Sequence, residues 1–225
     1  MGANRWIGWR RAICLYAGLV LLASCQPFYW MEDAHTLGKG RWKVDGQAYY
    51  QYWEAAYRDS RVLGWAFVDV GFSYGVTDRL DLGWMATSGS ITGLRWKYSL
   101  FQTPAKHALA VGGRCMTTVA WLLYDITYFE IYWQTDLRYT RSYRWGTLTF
   151  NPSVMYYRYA KTKEDLFPFH AFLGLHANLP LIGDQLTLQI GGSGGYPIIS
   201  PFPRARKYFF FTGGVGMAYS FGRKR

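Results

Sequence analysis

Hydrophobic and polar side chains alternate along the last stretch of the chain, which runs from Tyr208 to Phe221. Successive side chains of a β-strand point to opposite sides, so every second residue shares a face. One face is small or polar from Thr212 onward. The other face is mostly apolar and aromatic, and it carries Phe209, Phe211, Gly213, Val215, Met217, Tyr219 and Phe221. This segment predicts a strand that separates an apolar environment from a polar one.

The same alternation recurs in about ten segments, and turn-forming residues separate them at intervals of roughly ten to twenty residues. An even number of antiparallel strands, with both chain ends on one side, suits a closed barrel in a membrane. We therefore predict an all-β fold, an antiparallel transmembrane β-barrel of about ten strands. The predicted strands cover residues 42–52, 66–76, 80–86, 94–100, 109–119, 129–139, 148–156, 169–179, 186–190 and 209–221.

Charged side chains occupy the faces opposite to the apolar ones. A barrel that binds an apolar ligand would show the reverse, so the pattern favours a lipid-facing exterior and a polar lumen. Enclosed charges are tolerable only when they pair or stay hydrated, and six basic and five acidic side chains could largely pair. The predicted lumen charge network consists of Arg41, Lys43, Asp45, Asp69, Asp81, Arg95, Lys97, Arg114, Glu130, Asp136, Arg138, His170 and His176.

The closing strand, with its outward Phe221, resembles the C-terminal strand of bacterial outer-membrane β-barrels. Four further residues, Gly222 to Arg225, follow the aromatic residue that normally ends such chains. The resemblance implies a location in the bacterial outer membrane. It also implies contact with outer-membrane lipid and lipopolysaccharide.

The amino terminus has the features of a secretory signal peptide. Arg5, Arg10 and Arg11 precede an apolar run over residues 12–23, which is too short for a membrane-spanning helix. The run ends in Leu22-Ala-Ser-Cys25, which resembles the lipobox of bacterial lipoproteins. That resemblance implies diacylation of Cys25 with fatty acids such as palmitate, and Gln26 after it implies sorting to the outer membrane. An ordinary signal peptide that is cleaved nearby is the alternative.

The predicted organisation is a signal peptide (1–24), a lipidated amino-terminal segment (25–39) and a β-barrel domain (40–225). Beyond Cys25, only Cys115 remains as a thiol, which excludes a disulfide framework and a thiolate zinc cluster. The formal charge of +11 includes three signal-peptide arginines. In a secreted chain we interpret the basic excess as contact with lipid phosphates or as a cationic lumen, and we expect no nucleic-acid partner.

Several small outer-membrane barrels are enzymes, so candidate catalytic patterns were considered. Omptin proteases have ten strands and paired aspartates, but no Asp-x-Asp occurs in this chain. Lipid A deacylases carry a His and a Ser two residues apart, whereas His107, His170 and His176 are each followed at that spacing by another residue type. His170 and His176 lie about 20 Å apart on one strand, so they cannot bind one metal ion. We predict no catalytic residues, no metal and no cofactor.

A basic segment follows the proline-rich stretch over residues 197–203. Arg204, Arg206 and Lys207 are predicted to form an outer loop that either contacts lipopolysaccharide phosphates or is simply solvated. A barrel of this size is about 20 Å across, and long inward side chains would fill most of it. The sequence therefore favours a non-enzymatic barrel, either a plugged structural or assembly partner of other membrane proteins or a narrow passive pore. The alternatives are a barrel hydrolase acting on lipid or peptide, and a lipid-anchored barrel that binds a small ligand.

Overall fold

The computed structural model of the chain describes residues 30–53, 63–88, 91–103, 106–118, 129–161, 164–166, 169–183, 185–199 and 209–222. Their regular structure consists of β-strands. Within these ranges, no helix is long and apolar enough to cross a membrane. The strands are β1 (Trp42–Trp53), β2 (Leu63–Gly75), β3 (Leu80–Thr87), β4 (Ile91–Thr103), β5 (His107–Thr118), β6 (Phe129–Tyr143), β7 (Gly146–Lys161), β8 (Glu164–Leu166), β9 (Phe169–Ile182), β10 (Leu186–Ile199) and β11 (Phe210–Phe221).

Ten of these strands form a closed antiparallel barrel, which confirms the predicted fold class. Strands β1 to β7 pair in chain order, β7 pairs with β9, and β9 to β11 continue the ring. The first and last strands close it, with Trp42 opposite Phe221 and Trp53 opposite Phe210. The remaining strand, β8, has three residues and pairs only with the far end of β7.

The side chains alternate between the outside and the inside of the barrel, as the sequence pattern predicts. Outward Leu94 and Leu173 are 67% and 59% exposed, whereas inward Lys97 and Asp81 are each 2% exposed. An apolar surface of this extent is not stable in water, and it matches the lipid-facing band of membrane barrels. The exterior is therefore the surface that contacts lipid.

The two ends of the barrel differ in the connections between their strands. At one end, here the turn end, Trp42 and Phe221 lie beside the connections 76–79, 104–106, 144–145 and 183–185. At the opposite end, here the loop end, the strands are joined by residues 54–62, 88–90, 119–128, 162–168 (which include β8) and 200–209. Outer-membrane barrels have short periplasmic turns and longer extracellular loops. By this rule the turn end faces the periplasm.

Aromatic rings pair on the outer surface near the turn end. The rings of Trp42 and Tyr74 lie 4.5 Å apart, and those of Tyr143 and Trp145 stack at 5.2 Å. Trp and Tyr prefer the level of the lipid headgroups. These pairs are placed to mark the membrane boundary at this end.

Strand β10 is longer than the sequence analysis predicts. We predicted a strand over residues 186–190, but β10 continues through Pro197 to Ile199. Pro197 pairs with His170 directly before a register shift against β9. A proline has no N–H to donate and is tolerated at an irregularity of this kind, so the strand passes through it.

Candidate functional site

The described chain before β1 begins inside the barrel. Residues 30–37, here called the plug, run through the lumen and are held by hydrogen bonds from the barrel wall. Gln47 accepts from the Met31 N–H at 3.1 Å, and Gln189 donates to the Met31 carbonyl at 2.6 Å. Thr140 accepts from the Ala34 N–H at 2.8 Å. These bonds supply the irregular backbone with partners that a strand would find in a sheet.

Glu32 is the centre of the charge network in the lumen. Its carboxylate lies 2.8 Å from the Lys43 Nζ and 2.8 Å from the Arg138 Nη1, and 3.3 Å from the Lys97 Nζ. Lys43, Lys97 and Arg138 come from β1, β4 and β6, so one plug residue bridges strands around the barrel. Because all four side chains are nearly inaccessible to solvent, the ion pairs act in a medium of low dielectric.

Carboxylates of the wall complete the pairing of these cations. Asp45 contacts Arg95 at 2.8 Å and Lys43 at 3.2 Å. Asp81 lies 3.3 Å from Lys97, and Asp136 lies 2.7 Å from the Arg138 Nε. Among the described residues, the buried charges of the wall are five cations (Lys43, Arg95, Lys97, Arg114 and Arg138) and four carboxylates (Asp45, Asp69, Asp81 and Asp136). Glu32 of the plug is a fifth buried carboxylate, so buried positive and negative groups are equal in number among the described residues.

Trp30 fills the lumen between Glu32 and the loop end. The guanidinium of Arg95 lies 4.7 Å from the centre of its ring, a cation–π contact. Trp30 also packs in a cluster with Met85, Ile91, Met116 and Tyr132. The sequence analysis described the inward faces as charged and polar, but this half of the lumen also holds apolar side chains: Tyr49, Phe67, Met85, Met116, Tyr132, Met155 and Phe172.

The plug leaves the lumen at the turn end through a glycine-containing bend. The Leu37 N–H donates to Asp81, and the Thr36 hydroxyl donates to the Asp78 carbonyl at 2.7 Å. Gly38 and Gly40 then adopt φ values of 82° and 81°, a left-handed conformation that glycine adopts without strain. The Gly40 N–H donates to the Gly75 carbonyl at 2.8 Å. The bend thus brings the chain from the lumen into the wall at β1.

A cavity of about 430 Å³ lies beside the plug at the turn end. Asp33, His35, Arg41, Lys43 and Asn178 are among the residues that line it. Much less empty space is found around Glu32 and Trp30. A void of only about 10 Å³, lined by Arg95, Arg114 and Arg138 among others, is left at that level, about enough for one water molecule. The lumen is therefore open at one end and filled in its middle.

Some of the other residues of the predicted lumen charge network lie within the described ranges and some lie outside them. Asp69 is buried and accepts from Gln47 and Tyr49 at 3.1 and 3.2 Å, and Arg114 donates to Gln134 at 2.7 Å. His170 and His176 are buried on the inner face of β9, and Arg41 is half-buried at the cavity. The Glu130 side chain and residues Cys25, Arg204, Arg206 and Lys207 lie outside the described residues.

The sequence analysis missed the plug. Glu32 is the first acidic residue of the chain, and Trp30 stands two positions before it, which was the available signal. The same segment contains an Asp-x-His pair, Asp33-Ala-His35, which was not recognised in the sequence. The Asp33 Oδ2 and the His35 Nδ1 are 4.0 Å apart. Because that distance is longer than a hydrogen bond, the Asp33 carboxylate does not hold the His35 imidazole in the orientation that a catalytic couple requires.

A closed antiparallel barrel with a lipid-facing apolar exterior and a charged lumen is a transmembrane β-barrel of the bacterial outer-membrane type. No family model and no curated protein sequence matches this chain. Among solved structures, it is similar to an outer membrane channel from Pseudomonas putida F1, with 11% identity and a TM-score of 0.48 over 88% of this chain and 100% of that one.

Two further solved structures are similar over most of their lengths. The outer membrane protease OmpT from Escherichia coli has 11% identity and a TM-score of 0.40, over 84% of this chain and 99% of that one. Neisserial surface protein A has 11% identity and a TM-score of 0.36, over 81% of this chain and 100% of that one. At these identities the likeness is one of barrel fold.

Proposed function

We propose that this protein is a non-enzymatic outer-membrane β-barrel that is closed by its own amino-terminal plug and serves as a structural or assembly partner of other membrane proteins. The observation that carries the proposal is Glu32, which lies within ion-pair distance of three cations from three strands. A pore needs a continuous hydrated path. Here the level of Glu32 holds a void of only about 10 Å³.

The proposal includes a lipid anchor at Cys25, supported by Leu22-Ala-Ser-Cys25 after the apolar run. Two or more acyl chains hold a protein durably at a membrane, whereas one chain binds reversibly. The outer-membrane lipid and lipopolysaccharide are the other proposed partners. Support for lipopolysaccharide as a partner is that Arg204, Arg206 and Lys207 belong to the segment that connects β10 to β11, two strands that are joined at the loop end.

A narrow passive pore is the second candidate, and one observation favours it. The cavity of about 430 Å³ at the turn end extends into the polar lumen as far as Lys43, Lys97 and Gln189. The described contacts of the plug are hydrogen bonds, ion pairs and packing contacts, all of which are reversible. In this case the plug would be a gate, and solutes would pass when it leaves.

The absence of enzymatic activity is also part of the proposal. Its support is that the buried carboxylates in the described lumen contact cations or amides, and that the side chains of Asp33 and His35 are not hydrogen-bonded to each other. An acyl-transfer site needs a nucleophile and a base within hydrogen-bond reach. Release of lipid or peptide products by the purified protein, abolished by a His35→Ala change, would favour a hydrolase instead.

Conductance in planar bilayers tests the closed state. We expect the full chain to give no stable current steps, because the plug fills the lumen. A variant that lacks residues 30–37 should conduct and prefer anions, because its described wall retains five buried cations against four carboxylates. The Asp33→Asn variant keeps the plug and should stay silent. Current steps of the full chain that match those of the deletion variant would contradict the closed barrel and support the pore.

A further inference from the structure

The direction of the plug within the barrel is defined by the partners at its two ends. Trp30 packs against Ile91, the first residue of β4, and Met116, near the last residue of β5. Both lie towards the loop end. Thr36, by contrast, donates to the carbonyl of Asp78 in the turn 76–79. The chain therefore runs from the loop-end half of the lumen at Trp30 to the turn end at Thr36.

Among the described residues, little space is left at Trp30 and Glu32 for the preceding chain to return beside the plug. Met31 and Ala34 are 1% and 0% exposed. The void around Trp30 and Glu32 is about 10 Å³, enough for one water molecule and far too small for a second strand of polypeptide. While Trp30 is in place, the described part of the lumen is blocked in the direction of the turn end.

Chain length leads to the same conclusion. Cys25 lies five positions before Trp30, and this segment spans at most about 17 Å when fully extended. The plug from Trp30 to Thr36 covers up to about 20 Å along the lumen. Cys25 would therefore approach the turn end only if the segment ran almost fully extended beside the plug. The small void at Trp30 and Glu32 disfavours such a path.

We propose that the amino-terminal chain is threaded through the barrel, so that residues before Trp30 leave the lumen at the loop end and an acylated Cys25 inserts its acyl chains in the outer, cell-surface leaflet. The threading rests on the described plug, whereas the position of the acyl chains also rests on the proposed lipidation of Cys25. The orientation follows from the short turns, which face the periplasm in outer-membrane barrels.

Threading also gives the plug a function in anchoring. Acyl chains at the loop end would hold the chain on one side of the membrane, while β1 holds it on the other. The plug would then be tethered at both ends, which disfavours its escape towards the periplasm. A tethered plug is consistent with a closed structural barrel and opposes free gating.

Accessibility of an introduced thiol to a membrane-impermeant maleimide reagent on intact cells tests this proposal, and the parent that carries only Cys115→Ala reports any reaction of an unacylated Cys25. All variants carry Cys115→Ala, which removes the thiol on the outer surface of β5. The test variant is Pro27→Cys. Ser88→Cys, exposed at the loop end, is the surface control, and Arg79→Cys, exposed in the turn 76–79, is the periplasmic control. Intact mass measured on each variant reports acylation separately.

We expect the Pro27→Cys variant to react on intact cells as fully as the Ser88→Cys variant, while the Arg79→Cys variant reacts only after permeabilisation. Reaction of Pro27→Cys only after permeabilisation, or in neither state, would overturn threading. The mass distinguishes this failure from that of the proposed anchor. An unacylated protein that reacts from outside refutes the anchor and keeps the threading, and an acylated protein that reacts only from inside does the reverse.

Discussion

At the scale of single residues, Glu32 links the plug to the barrel wall. Burying a charge costs several kcal/mol unless partners compensate it. Lys43, Lys97 and Arg138 are all nearly inaccessible, and each has a wall carboxylate of its own, but Glu32 is the anion that they share. Its removal would leave an excess of positive charge in the closed lumen.

We predict that Glu32→Gln destabilises the folded barrel by about 3 to 5 kcal/mol, because breaking a buried ion pair leaves its partner uncompensated. Glutamine keeps the size of the side chain, so the loss isolates the charge. Denaturant unfolding in lipid vesicles, followed by tryptophan fluorescence, measures the change. Asp33→Asn is the matched control, because Asp33 is 30% exposed and 3.9 Å from Lys97. It should cost less than about 1 kcal/mol, and equal losses would contradict a special role of Glu32.

The identity of the lumen residues could be predicted from the sequence, but most of their partners could not. Alternation alone places Lys43, Asp45, Arg95 and Lys97 on inner faces. Which of them pair depends on strand register and on barrel closure, and register is not encoded in a single strand. The pairing of Arg95 with Asp45, fifty positions away in sequence, joins β4 to β1 and depends on the register of β2 and β3 between them.

At the scale of elements, the alternating strands define which side chains contact lipid. Leu175 lies midway along β9 (Phe169–Ile182), and Leu181 lies near its turn end. Both point outward, with 52% and 53% of their surfaces exposed. They differ mainly in their expected depth in the bilayer.

We predict that Leu175→Arg destabilises the barrel by about 2 to 4 kcal/mol, whereas Leu181→Arg costs about 0 to 1 kcal/mol, because the cost of arginine falls from the midplane to the interface. Unfolding in vesicles gives the two free energies, and the gel mobility of unheated samples reports folding. The residue types before and after the change are the same at both positions. Similar costs at the two positions would mean that β9 does not cross the hydrocarbon region as described.

The elements differ in how far the sequence predicts them. Long alternating segments such as β1, β2 and β11 are predictable because one periodic pattern covers each of them. The plug has no such period, and it is held by distant partners: Ala34 bonds Thr140, 106 positions away. Segments of this kind are recognisable only from the surroundings that bind them. The continuation of β10 through Pro197 likewise depends on pairing with a distant segment, β9, and is not apparent from the local sequence.

At the scale of the whole molecule, the barrel and its plug form one structure. The wall supplies excess positive charge and a partly apolar lumen, and the plug supplies Glu32 and Trp30 to match both. The same segment then bends at Gly38 and Gly40 into the first strand. The segment that occupies the described lumen is therefore part of the chain itself.

Disulfide trapping reports whether the plug lies in the lumen. Ala34 packs in a cluster with Ala108 and Ala110 of β5. In a Cys115→Ala background, we predict that Ala34→Cys combined with Ala108→Cys or with Ala110→Cys forms a disulfide in the folded protein, identified by mass spectrometry of linked peptides. The control, Ala34→Cys with Ala177→Cys on the outward face of β9, should keep two free thiols. Free thiols in all three pairs of a folded barrel would contradict the account.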